Sequence, residues 1–273
     1  MNPNYDKFSL KRMWAVTTHY CVANGRKLLV SSFVIFAMTF LISLLITKMT
    51  GNDDGLDSAA RSAMLGIMYL FIIGLGSTII GSLTFSSYSS KPKRISAMML
   101  PAKKSEKFLS MLIVYIVFGN IVLFGSIFLS EWITASMYGL NSAFEQFRLS
   151  FWYTEPKLRQ FVPLIFWGAV CYVLIPQAIY LLGSALWPRL SFLKTAIAMS
   201  IFQLLLTIIM PISTMSGWIN PFLEFMSAHF DSPEAAYNSI CFILVCAYLL
   251  LAGIYVLAWL RFRNLAVAKR FLS

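Results

Sequence analysis

Few side chains in this sequence have the type and spacing that catalysis needs. Gly74-Leu75-Gly76-Ser77 is similar to a serine nucleophile turn, but no histidine lies in an apolar run to act as its base. His19 and His229 are the only histidines, and neither an HExxH zinc motif nor a GxxxxGKS/T phosphate loop is present. We therefore expect no enzyme activity, no catalytic residue and no metal site in this chain.

The most informative polar stretch is a basic connector at residues 86–107. The spacing of its apolar residues is i, i+3, i+4, i+7 at Ile95, Met98, Met99 and Ala102, which predicts a short helix with one apolar face. Pro101 is expected to end this helix near Leu100. Ser105 is then expected to cap the helix that follows, with Glu106 in its first turn. Cations on both sides of such a helix indicate a docking site for a soluble partner, although membrane topology alone also accounts for them.

Long apolar runs precede and follow the connector in the sequence. Six runs are long enough to cross a bilayer, which needs about 20 apolar residues, and none of them contains Asp, Glu, Lys or Arg. The sequence predicts an all-α polytopic membrane protein, one transmembrane domain over residues 1–273, with spans at about 28–47, 63–85, 108–130, 161–183, 195–212 and 238–260.

The charged residues predict how these spans are oriented. Seventeen of the 22 Lys and Arg residues lie in segments 1–27, 86–107, 184–194 and 261–273, and nine of the 11 Asp and Glu residues lie in the other three gaps. By the positive-inside rule, both termini are cytoplasmic. Residues 1–27 carry apolar side chains at helical spacing among cations, which predicts an amphipathic helix on the inner surface. The net charge of +11 is spread over connectors, so we expect it to meet anionic lipid and not nucleic acid.

The remaining segments carry weaker signals. Residues 131–160 are rich in aromatic side chains and residues 213–237 follow the fifth span, so each is expected to be interfacial or re-entrant.

Asn120, Gln177 and Gln203 are the most polar groups at mid-span, and we interpret them as hydrogen-bonding groups between helices. Small residues four apart (Gly74, Thr78, Ser82 and Ser86) predict close helix packing, and Pro176 predicts a bend. The four cysteines form no CxxC pair, and we expect no disulfide framework.

A family resemblance rests on the end of the connector. Met99-Leu100-Pro101-Ala102-Lys103-Lys104-Ser105-Glu106-Lys107-Phe108-Leu109 resembles the LPAS-x-x-EKF signature of permease subunits of type-2 ABC exporters, especially Bacteroidetes-like members. Lys103 stands where the signature has Ser. The order of an inner-surface helix, six spans and a connector after the second span is also similar to that family over nearly the whole chain.

This resemblance implies a function that composition does not. It implies a permease in the bacterial cytoplasmic membrane that pairs with a second permease copy, identical or related, and docks a separate ABC ATPase subunit, which binds the ATP. Ile95, Met98 and Met99 would seat in an ATPase groove with Pro101 ending their helix, Glu106 and Lys107 would orient the connector, and Trp187, Pro188 and Arg189 would form a second contact. The alternative is a non-transporting scaffold, assembly or immunity subunit that uses the same connector. Neither reading identifies a substrate.

Overall fold

The computed structural model describes residues 8–50, 56–139, 161–215 and 233–265. Within these ranges the chain is helical and contains no strand. The α-helices are α1 (Leu10–Thr50), α2 (Leu56–Leu83), α3 (Lys91–Met99), α4 (Lys104–Leu112), α5 (Gly119–Tyr138), α6 (Val162–Leu186), α7 (Ser191–Met215) and α8 (Pro233–Leu265). A 3₁₀ turn, Ser86–Tyr88, precedes α3, and a π-helical segment, Ile113–Phe118, joins α4 to α5.

Six helical stretches in the described part are long and apolar enough to cross a membrane: Leu29–Met49, Arg61–Tyr88, Lys104–Tyr138, Val162–Leu186, Ser191–Ile209 and Glu234–Asn264. They overlap the six runs predicted from the sequence one for one. The protein is therefore an all-α, multi-pass membrane protein. We call Lys104–Tyr138 the third span, and we call the end of the bundle that carries α3 the connector end.

The first helix is longer than a bilayer. With 41 residues, α1 extends about 60 Å, roughly twice the thickness of the hydrocarbon core. The amphipathic segment before the first span is helical as predicted, but no break separates it from that span. Its apolar residues Met13, Val16 and Tyr20 are buried, whereas Phe8 and Trp14 are exposed. The inner part of α1 therefore packs one face on protein and leaves the other open.

The helices that contain the second and third predicted spans extend beyond the predicted bounds. Arg61 and Glu131, which lie just outside those bounds, are both buried inside these continuous helices, at the end opposite the connector. The helix that was predicted to leave the membrane at Glu131 continues to Tyr138. Residues 51–55, 140–160 and 216–232, to which most of the outer-loop predictions refer, lie outside the described residues.

Small residues let the helices approach closely, as predicted for the stripe that begins at Gly74. The position of a Cβ on Gly74 would lie 3.0 Å from the hydroxyl of Tyr172 in α6. The carbonyl of Ser82 accepts a hydrogen bond from the hydroxyl of Ser191 at the start of α7, at 2.8 Å. The stripe therefore places α2 against the hairpin that α6 and α7 form.

Candidate docking site at the connector

The connector helix α3 ends within one residue of where its sequence predicts. Pro92 lies in its first turn, where a missing N–H costs nothing. Leu100, which precedes Pro101, has an extended backbone (φ −61°, ψ 127°), the conformation that a following proline favours. The helix therefore ends at Met99, one residue before the predicted end.

The apolar face of α3 points away from the bundle. Ile95 is 48% exposed and Met99 is 78% exposed, whereas Ala97 is buried. The side chain of Met98, the third predicted docking residue, lies outside the described part of the structure.

The start of the third span differs from the sequence prediction. The helix begins at Lys104 with Lys103 in the capping position, so Ser105 lies inside the first turn and does not cap it. Glu106 is the reason, because its Oε2 accepts a hydrogen bond from the backbone N–H of Lys103 at 2.9 Å. A carboxylate in the third position of a helix satisfies a free N–H group and also interacts favourably with the helix dipole.

Glu106 also fixes the first helix. Its Oε1 accepts hydrogen bonds from the backbone N–H of Ser9 at 2.8 Å and from the guanidinium of Arg12 at 3.1 Å. The hydroxyl of Ser110, one turn further on, donates to the carbonyl of Met13 at 2.9 Å. Glu106 is fully buried, and it lies where α1, the connector and the third span meet.

Lys107 joins the third span to the connector helix. Its side chain is 7% exposed, and its Nζ donates a hydrogen bond to the carbonyl of Ala97 at 2.9 Å. Ala97 lies in the last turn of α3, where carbonyl groups lack partners within the helix and the dipole favours a cation. Lys107 therefore bonds α3 on the side that faces the bundle, and Ile95 and Met99 on the other side of α3 remain exposed.

Two arginines complete the attachment of the connector. Arg94 donates to the carbonyl of Tyr88 at 3.2 Å, and the Nε of Arg189 donates to the carbonyl of Ser89 at 3.2 Å. Arg189 belongs to the turn between α6 and α7, in which Trp187 is 38% exposed. The structure thus places Arg189, one of the three residues predicted as a second contact, directly beside the connector.

The sequence did not predict the unusual backbone of Leu190, the residue that follows Arg189 in the turn between α6 and α7. Its φ of 54° lies in the left-handed region, which a leucine adopts at a cost of about 1–2 kcal/mol, and its side chain is 70% exposed. Its carbonyl accepts the first hydrogen bond of α7, from Lys194 at 3.1 Å. Nothing in the sequence signals this conformation, because leucine is not a turn residue.

An aromatic cluster supports the connector from the membrane side. It consists of Phe85, Tyr88, Phe108, Trp259 and Phe262. Phe262 is at its centre, with ring centroids 5.3 Å from Phe85, 5.4 Å from Tyr88 and 5.6 Å from Phe108. Phe85 and Tyr88 come from the second span, Phe108 from the third and Phe262 from α8, so the cluster joins three helices at the connector end.

Tyr20 places a polar group next to this cluster. Burial raises the pKa of Tyr20 to about 12. Its side chain lies in the same buried core as Tyr88 and Tyr115.

A partly open, mostly apolar cavity of about 330 Å³ lies between α1, α2 and the third span. Ile35, Ile72 and Leu123 are among its lining residues, and Gly76 and Gly119 form part of its wall. None of its lining residues is charged.

A second polar junction lies at the other end of the third span. Glu131, 3% exposed, accepts a hydrogen bond from the hydroxyl of Tyr69 in α2 and a weaker one from Ser43 in α1, at 3.5 Å. Glu106 and Glu131 lie about 37 Å apart along the third span. One carboxylate at each end therefore fixes the third span to α1.

No protein-family model, no curated protein and no solved structure matches this chain.

Proposed function

We propose that this chain is the permease subunit of an ATP-driven ABC exporter in the bacterial cytoplasmic membrane. In this proposal both termini are cytoplasmic, the chain pairs with a second permease copy, and a separate ATPase subunit docks on the connector. The observation that carries the proposal is the combination of exposed apolar side chains on α3, Ile95 and Met99, with a buried cation, Lys107, that bonds the opposite side of the same helix.

The contacts of the signature residues support this proposal. Pro101 ends α3, Glu106 joins the connector to α1, and Lys107 joins α3 to the third span. A force applied by a partner to Ile95 and Met99 would therefore reach the transmembrane helices through short polar contacts. A docking surface without such contacts would bind a partner but would not transmit its movement.

The proposed cycle assigns no bond-breaking step to this chain. The ATPase subunits hydrolyse ATP, and their closure moves α3 of each permease copy. Because Lys107 lies at the start of the third span, α3 and that span move together. The aromatic cluster carries the same movement to α2 and α8. The path between the two permease copies then opens on one side of the membrane at a time.

Photo-crosslinking from the connector tests the proposal. A photoreactive amino acid replaces Met99 in membranes of the native host, and mass spectrometry identifies the captured partner. Met137 is the matched control, since it is also a methionine of high exposure (63%) but lies near the far end of the third span. We expect a P-loop ATPase to be captured from position 99 and not from position 137. Capture of a different protein from position 99 would favour the scaffold function, and capture of none would contradict docking at α3.

Charge substitution provides a second, independent test. Ile95→Asp combined with Met99→Asp places two carboxylates on the proposed interface, and we expect the ATPase to be lost from affinity-purified permease. Met137→Asp controls for the effect of an added charge. Retention of the ATPase by the double variant would show that α3 is not the docking element.

A further inference from the structure

The cavity between α1, α2 and the third span has the dimensions of a single hydrocarbon chain. Its lining extends from Ser31 to Ile42 on α1 and from Met68 to Leu83 on α2, which corresponds to about 16 Å and 22 Å along the two helix axes. A volume of about 330 Å³ over this length gives an average cross-section of about 15–20 Å². An α-helix with its side chains is about 10–12 Å in diameter and needs about 80–110 Å². The cavity therefore has room for one chain of carbon atoms and not for a helix.

This cavity opens sideways at the depth of the hydrocarbon core. Its rim includes the exposed apolar residues Met38 on α1 and Leu75 and Ile79 on α2. Its floor is the third span, where Tyr115 and Leu123 are buried. All five residues lie within the membrane-spanning stretches, so a lipid chain reaches the cavity by moving sideways in the bilayer.

Two hydroxyl groups lie at the connector end of the cavity. Tyr115 lines the cavity and is 6% exposed, and its hydroxyl shares a hydrogen bond with the hydroxyl of Ser86, at 3.4 Å. Two hydroxyls have two hydrogen atoms, and the bond between them uses only one. Neither hydroxyl makes another hydrogen bond within the described part of the chain. One O–H group at this end of the cavity can therefore donate to an acceptor on a bound molecule.

The hydroxyl pair lies at the level where a membrane lipid carries its ester groups. Ser86 begins the 3₁₀ turn after α2 and is two residues from the end of the second span. Lipid esters lie at the boundary between the hydrocarbon core and the headgroups. Their carbonyl oxygens accept hydrogen bonds and do not donate them, which suits an unused O–H group. The apolar length of the cavity and its polar end thus follow each other in the same order as the two parts of a phospholipid chain.

We propose that the cavity binds one acyl chain of a phospholipid from the leaflet at the connector end, with the ester carbonyl hydrogen-bonded to the hydroxyl pair of Tyr115 and Ser86. The chain contacts the lining residues Ile35 on α1, Ile72 on α2 and Leu123 on the third span. It thereby gives dispersion contacts to side chains of three helices that face the cavity. A permease and a scaffold could each hold such a lipid, so its test does not depend on the proposed function.

Photolabelling from the lipid tests the site. The wild-type protein is placed in nanodiscs that contain phosphatidylethanolamine with a diazirine in the middle of one acyl chain, and mass spectrometry locates the labelled residues after irradiation. Lipid on the outside of the bundle labels exposed residues such as Ile121, whereas a chain inside the cavity reaches the buried floor at Leu123. We expect label at both positions. Label on Ile121 without label on Tyr115, Val122 or Leu123 would overturn the proposal.

A variant with a filled rim provides the matched comparison. Leu75→Trp adds bulk at the opening, and we expect the floor to lose most of its label while Ile121 keeps its own. Leu129→Trp is the control, because Leu129 is 46% exposed and Leu75 is 45% exposed, but Leu129 does not line the cavity. Unchanged floor labelling in Leu75→Trp would contradict a chain inside the cavity. Capture of a second copy of the chain from a photoreactive residue at position 75, with no lipid label on the floor, would make the cavity part of a protein interface instead.

The hydrogen bond at the polar end is tested with ester-linked and ether-linked forms of the same phospholipid. The ether form has the same chain but no carbonyl oxygen. The two forms are supplied in equal amounts, and native mass spectrometry measures which one the purified protein retains. We expect wild type to retain the ester form about two- to tenfold better, the effect of one hydrogen bond, and Tyr115→Phe to show no such preference. Equal retention of both forms by wild type would overturn the assignment of the hydroxyl pair to the lipid ester.

Discussion

The ammonium group of Lys107 donates a hydrogen bond to the carbonyl of Ala97 across 2.9 Å, between the first turn of the third span and the last turn of the connector helix. Both residues are buried. The bond gives a carbonyl at a helix C-terminus a cationic partner, and it also places the charge of Lys107 where the helix dipole is most negative. This contact is thus one of those that determine how α3 lies on the bundle, together with the hydrogen bonds of Arg94 and Arg189.

Replacement of Lys107 tests this role. Lys107→Met keeps the length of the side chain but removes the donor, and we expect α3 to lose about 1.5–3 kcal/mol of local stability, the contribution of a hydrogen bond to a charged group. Hydrogen exchange of the amides at residues 91–99 measures this loss directly. Lys104→Met is the control, because Lys104 is exposed. Unchanged protection of α3 in the Lys107 variant would show that other contacts hold the connector.

Removal of Glu106 is expected to separate α1 from the connector. Glu106→Ala leaves Arg12 and two backbone N–H groups without their acceptor, a situation that costs about 3–5 kcal/mol for a fully buried ion pair. The side chain of Arg12 is 23% exposed, so water compensates in part and we expect about 2–4 kcal/mol. Thermal unfolding in detergent measures the change. Glu234→Ala, at an exposed carboxylate, is expected to have no comparable effect.

An additional comparison separates charge from hydrogen bonding at this junction. Glu106→Gln keeps an acceptor but removes the negative charge, so it should be intermediate between wild type and Glu106→Ala. Equal stability of the Gln variant and wild type would mean that the ion pair with Arg12 contributes nothing. Equal loss in both variants would mean that the charge is the whole effect.

The sequence predicted those features that depend on composition and local pattern. Six apolar runs and a proline after a helical pattern were enough to locate the spans and the end of α3, because each signal lies within one segment. The pairing of Asn120 with Gln177 confirms the interpretation of these amides as groups between helices. Gln203, interpreted in the same way, makes no such contact with another of the described helices.

Features that depend on contacts between distant segments were not predictable. The periodicity of the N-terminal segment shows that it has an apolar face, but not whether that face lies on lipid or on protein. In the structure this face packs on the third span, where Met13 and Val16 are buried. The predicted third span likewise ended before Glu131, because the prediction assumed that a carboxylate inside a span is unpaired and therefore unfavourable in the membrane. Glu131 has its partners on α1 and α2, and no local pattern indicates them.

The close crossing of α2 and α6 gives a prediction that involves no charge. A Cβ at Gly81 would lie 2.3 Å from the backbone carbonyl oxygen of Gln177, and a backbone atom cannot move aside as a side chain can. We expect Gly81→Ala to destabilise the protein by about 3 kcal/mol or more, at the upper end for overpacking. Gly168→Ala is the matched control in α6, since nothing lies within 4 Å of the added methyl group. Its expected effect is neutral or a stabilisation of up to about 1 kcal/mol.

The junction at Glu131 gives the final prediction. Tyr69→Phe removes the hydroxyl that donates to this buried carboxylate, and we expect a loss of about 1.5–3 kcal/mol in stability. Tyr172→Phe is the control, because its hydroxyl bonds a carbonyl at an exposed site. If Tyr69 acts through Glu131, the effects of Tyr69→Phe and Glu131→Gln will not add, and a double-mutant cycle should give a coupling of about 0.5–3 kcal/mol. Additive effects would mean that each residue stabilises the far end of the bundle separately, and that Glu131 depends on Ser43 and its other neighbours.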